Sequence, residues 1–130
     1  MRAALLIVLG LAIGILGTVF TMNALHEREN PMPDAVMSIM GFHMHALSTQ
    51  VKSQHCDGAA AQAQLARLDS TAQDIDVAFT DVPAGFRDAA AKLQQATKAA
   101  VAAAPTECAA LAAVIKPVHE ACESCHRQYR

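Results

Sequence analysis

From residue 33 onward, apolar side chains recur at three- and four-residue intervals in four stretches, and this spacing restricts the chain to helices. The first stretch, 33–54, carries Met37, Met40, Met44, Leu47 and Val51. The second, 58–79, carries Leu65, Leu68, Ala72, Ile75 and Phe79. The third, 84–104, carries Phe86, Ala90, Leu93, Thr97, Ala100 and Ala104. The fourth, 107–129, carries Leu111, Val114, Val118, Ala121 and Cys125. None alternates with the two-residue period of a strand, so the expected class is all-α. Asp57-Gly58, then Asp81, Pro83 and Gly85, then Pro105-Thr106 separate the stretches. Thr106 is the expected N-cap of the last helix, with Glu107 in its first turn. Pro117 is expected to kink that helix or to leave a carbonyl unpaired near residue 113. Short connections between successive helices imply an antiparallel up-down-up-down four-helix bundle over 33–130.

Residues 3–22, AALLIVLGLAIGILGTVFTM, carry no charge. Twenty helical residues span about 30 Å, the thickness of a bilayer's hydrocarbon core. Arg2 ahead of the run is a positive-inside cue, which puts the rest of the chain outside the cytoplasm. A cleaved signal peptide is the rival reading of 1–22. The apolar region is long for one, and Met22 stands where a small residue is wanted ahead of Ala24. Both readings export residues 23–130. A retained anchor makes the chain a single-pass protein of the cytoplasmic (inner) membrane, with those residues on the periplasmic side. Gly10 and Gly14 form a G-x-x-x-G pair that would suit a homodimer. Residues 23–33 form a polar stretch closed by Pro31 and Pro33, and 23–32 read as a linker ahead of the first bundle helix. Its roughly eleven residues would reach at most about 36–40 Å. Pro33 suits a first helical turn, and Asp34 the positive end of its dipole. The net charge of −2 and the lack of any basic run give no sign of nucleic-acid binding.

Cys122-Glu123-Ser124-Cys125-His126 is a C-x-x-C-H run, the attachment signature of haem c. Two thiols one helical turn apart can reach the two vinyl groups on a porphyrin edge, and the adjacent imidazole can ligate the iron. A thioredoxin-type pair belongs at a helix start after a strand, whereas this pair ends a helix. A structural zinc site wants four ligands, usually two such pairs. A plain disulfide between Cys122 and Cys125 would leave His126 unexplained.

Residues 121–130, ACESCHRQYR, resemble the C-terminus of the cytochrome c′ family (class II c-type cytochromes), where an aromatic and a basic residue follow the haem motif. Tyr129 and Arg130 match them, and the resemblance implies that they bind the cofactor. MSIMGFHMHAL (37–47) is similar to the family's first-helix motif, and the likeness covers 33–130 in helix order. It implies one covalent haem c and a four-helix bundle. A methionine at the position of Met37 resembles the low-spin, electron-carrying branch; a leucine would mark the five-coordinate, gas-binding branch. Met37 also has a case of its own, on the apolar stripe near the start of the first helix, at the end where the fourth helix finishes. Methionine–histidine ligation raises the reduction potential, as an electron carrier needs. Met40 and Met44 read as core filler, and His43 as a non-ligand. The family often has an arginine four residues before the distal position, where this chain has Pro33; Arg87, Arg127 and Arg130 are the candidates to replace it.

In the expected bundle, Cys56 at the end of the first helix and Cys108 at the start of the fourth share the end opposite the haem. They are expected to form a disulfide closing a loop of about fifty residues, a stabilisation of about 2–4 kcal/mol. The linker enters at the haem end, so the haem would be held near the membrane, within reach of membrane-bound or periplasmic redox proteins. Asp74, Asp76, Asp81 and Asp88 would cluster at that end and steer a basic partner. The expected activity is electron carriage rather than enzyme catalysis; the alternative is binding of nitric oxide or carbon monoxide by an open haem.

Overall fold

The computed structural model describes residues 2–29 and 31–130, with side chains described over 7–25 and from 31 onward. The described residues are helical with no strand, and they divide into two units, Met1–Pro31 and Met32–Arg130.

The first unit is the helix α1, Arg2–Glu29. Within it, Ile7–Leu25 is long and apolar enough to cross a membrane, and its large side chains are exposed all round. A helix apolar on every face satisfies its own backbone and leaves its side chains to an apolar surrounding. The expected linker is largely helical, because α1 continues through residues 23–29. No proline or glycine stands between Asn23 and Glu29 to stop it, and the boundary between the units falls at Pro31. The extended reach estimated for 23–33 therefore does not apply.

The second unit holds α2 (Met32–Lys52), α3 (Gly58–Gln73), α4 (Ile75–Ala78), α5 (Ala84–Ala103) and α6 (Cys108–Tyr129). The long helices contact one another in a ring: α2 meets α3, α3 meets α5, α5 meets α6, and α6 returns to α2. Leu47, Leu65, Leu68, Ile75, Leu111 and Val118 are fully buried inside it. Burying each contributes about 1.5–3 kcal/mol before entropy is counted. Thr97 is equally buried and hydrogen-bonds the Asp69 carboxylate at 2.7 Å, which answers its hydroxyl.

Local chemistry explains most helix ends. The Asp57 carboxylate accepts from the Ala60 amide at 2.7 Å and caps α3. The expected helix over 58–79 breaks at Asp74, leaving α4 as a separate turn that still buries Ile75 and Ala78. Thr106 is not the N-cap of α6; Glu107 holds that place without a side-chain cap. Ala104 lies outside the core, taking a left-handed φ of 43° as the C-cap of α5. Pro117 does not end α6, which runs on to Tyr129. Ile115, rather than Val114, is the more buried side chain there.

Cys56 and Cys108 form the expected disulfide, with Cα atoms 5.3 Å apart and a sequence separation of 52. It joins the chain just after α2 to the first residue of α6.

Candidate functional site

On α6, residues at i, i+3 and i+4 share a face, so Cys122, Cys125 and His126 project together. They border an apolar pocket of about 140 Å³, with His119 one turn before Cys122 on the same rim. The facing wall is α2, which contributes Met37, Met40, Gly41 and Met44. Ile75 of α4, and Phe86, Ala90 and Leu93 of α5, close the remainder. Met40 is buried in the core, whereas Met37 and Met44 are half-buried and reach the pocket from its edge.

Met37, Met40 and Met44 follow one another from the start of α2, while Cys122, Cys125 and His126 lie in the last turns of α6. Met44 also borders a second groove with His119 and Glu120, which Met37 does not.

Gly41 is a site residue that the sequence reading passed over. It lies in the middle of α2, where glycine is about 1 kcal/mol less favourable than alanine. A Cβ built there meets nothing within 4 Å, so packing between helices does not require its smallness. It lies four residues after Met37 and three before Met44, on the pocket wall. A glycine within a helical pattern was the available signal.

Both thiols are free. Burial pushes the Cys122 thiol above its ordinary pKa, with the neighbouring Cys125 adding to the rise, and burial raises Cys125 as well. A redox-active C-x-x-C pair needs the opposite shift, toward thiolate. Among the described residues, no three His, Cys, Asp or Glu side chains are grouped to hold a metal ion.

Other singled-out residues lie elsewhere. Tyr129 does not border the pocket; its ring packs edge-on against Phe86, on the α5 side. Arg130 is exposed beyond the end of α6. Arg127 pairs with Glu123 at 3.8 Å, and Arg87 donates to the Val82 carbonyl at 3.2 Å; neither lines the pocket. His43 is buried away from the pocket, where its Nδ1 donates to Gln64 Oε1 at 2.6 Å. His45 and His55 are exposed. Asp74, Asp76, Asp81 and Asp88 are exposed as expected, and Asp76 also accepts from Gln94 Nε2 at 3.1 Å.

No family model matches this chain, and neither the curated proteins nor the solved structures include a match to it.

Proposed function

We propose that this chain is a monohaem c-type cytochrome of the class II kind, anchored by α1 in the cytoplasmic membrane and carrying electrons on the periplasmic side. In this reading, the ring of α2, α3, α5 and α6 is an up-down-up-down four-helix bundle with the haem slot between α2 and α6. The observation that carries it is the meeting of Met37 with Cys122, Cys125 and His126 around one apolar pocket. Cys122 and Cys125 would hold the group covalently, and His126 and Met37 would ligate its iron. When bound, haem c supplies one-electron iron chemistry. The residues present fit that group: two free thiols, an exposed imidazole, a thioether on the same pocket and a wall without a side chain at Gly41.

The surrounding residues have roles of their own. Met40, Ile75, Phe86 and Leu93 keep water from the inner side of the slot, which favours the less charged state of a centre held there. Ile75 and Phe86 also line an outer groove with Asp76, Val82 and Arg87. Ile75 and Phe86 thus stand between the pocket and a surface bearing Asp76. A basic redox partner docking there would stand close to the slot, and the aspartates would steer it. In the membrane, Gly10 and Gly14 open a groove on α1 beside Thr18 that suits a second copy of the helix.

The test is expression of the full chain in a host able to attach haem c, followed by denaturing separation. Iron-porphyrin absorbance that stays with the chain under denaturation, and is lost when both Cys122 and Cys125 are alanine, is the expected result. A colourless chain from that host would end the reading.

A further inference from the structure

Tyr129 is the only tyrosine in the chain, which has no tryptophan. It lies three residues after His126, in the last turn of α6. Last turns fray, because their carbonyls have no helical donor ahead of them. A ligand carried on such a turn needs support from outside the helix. Tyr129 has it: its ring meets Phe86 edge-on with centroids 5.5 Å apart, and Phe86 packs on Phe79 at 5.0 Å. Beyond the ring, the hydroxyl lies over Gly85, the second residue of α5.

Gly85 has no left-handed φ, so the position does not call on glycine's conformational freedom. It calls on the missing side chain. A Cβ built on Gly85 would stand 2.5 Å from Tyr129 Oη but 3.8 Å from Cζ. The second distance is ordinary contact; the first is one that real atoms do not adopt. The conflict is thus with a single oxygen, at the tip of a rigid ring already held by Phe86.

We propose that Gly85 and Tyr129 form a steric lock that fixes the rotation of the last turn of α6, making both of them positioning residues for His126 and Cys125. The lock as a positioning device rests on the haem proposal, but its mechanics can be read without haem. The experiment compares the full chain with Gly85→Ala, Tyr129→Phe and the double variant, each with and without haem. Because Tyr129 is the sole tyrosine, its second-derivative absorbance and ring resonances report its surroundings directly. Gly85→Ala is expected to shift those signals toward solvent-exposed tyrosine and to lower the folding equilibrium constant roughly tenfold. In the Tyr129→Phe background the colliding atom is gone, and the same substitution should change that constant less than about twofold. In the haem-loaded chain, Gly85→Ala should shift the reduction potential and the low-spin absorption, and the double variant should restore both. Equal folding costs in the two backgrounds, or unmoved tyrosine signals, would overturn the lock. Moved tyrosine signals with an unchanged potential and spectrum would overturn its positioning role. A chain that never takes up haem would overturn the functional reading, while its tyrosine signals would still decide the lock.

Discussion

Two cysteine pairs stand at opposite ends of the helical domain and do different work. Cys56 and Cys108 come from distant parts of the sequence and are joined, closing the end where the α2–α3 and α5–α6 connections meet. Cys122 and Cys125 are one helical turn apart, unjoined, and turned with His126 onto a pocket. The first pair is joined within the fold; the second leaves two thiols side by side on a pocket rim. The two ends also differ in backbone. The non-glycine residues with left-handed φ, Gln54 and Ala104, lie at the disulfide end, among the described residues. Cross-linking helps to hold that end despite a cost of about 1–2 kcal/mol for each such residue. The pocket end has no cross-link of its own and opens between α2 and α6.

This contrast can be broken most severely at the pocket end. Replacing Cys122 and Cys125 together by alanine should abolish covalently retained haem while the chain still folds, as read by denaturing separation and helical circular dichroism. Replacing Cys56 and Cys108 together by serine should do the reverse, keeping haem attachment and lowering unfolding free energy by about 2–4 kcal/mol in chemical denaturation. If the second change removed haem as completely as the first, the two ends would not be separable.

A subtler probe is Gly41. Gly41→Leu should raise the stability of the haem-free chain by up to about 1 kcal/mol, since leucine is far the better helix former. The same change should lower the haem bound per chain, because the new side chain enters the pocket. A gain in both would show that Gly41 leaves no room that the ligand needs. The smallest effect is expected at the surface. Changing Asp74, Asp76 and Asp81 to asparagine should slow electron exchange with a basic redox protein a few-fold at low salt, and hardly at high salt. A rate indifferent to both would remove the steering role.

Much of this was legible in the sequence because helices and cross-links leave local marks. The stripe through Leu65, Leu68, Ala72 and Ile75 is buried as its spacing requires. Glycine and proline mark the connections. The C-x-x-C-H run announces its shared face, and antiparallel helices imply that Cys56 can meet Cys108. What escaped depends on contacts between elements. Nothing local tells that α3 stops at Gln73, because Asp74 keeps right-handed helical angles and the break lies in its amide, which turns to the Thr71 carbonyl at 3.1 Å. The direction of Tyr129 is set by Phe86 and by the bare backbone at Gly85, 44 positions earlier in the chain. The burial of His43 follows from Gln64 on the next helix. Gly41 was visible as an oddity in a helix, but only the fold places it on the pocket wall.

The proposed electron carriage depends on Met37 and His126 meeting at one iron, and optical absorption of the purified protein decides whether they do. The spectrum would be taken oxidised and reduced, with and without carbon monoxide, for the natural chain, Met37→Ala and Met44→Ala. The expected spectrum is low-spin and indifferent to carbon monoxide, with a methionine–iron charge-transfer band lost in Met37→Ala and retained in Met44→Ala. A high-spin natural chain that takes up carbon monoxide, unchanged by Met37→Ala, would refute shared ligation and favour a gas-binding haem.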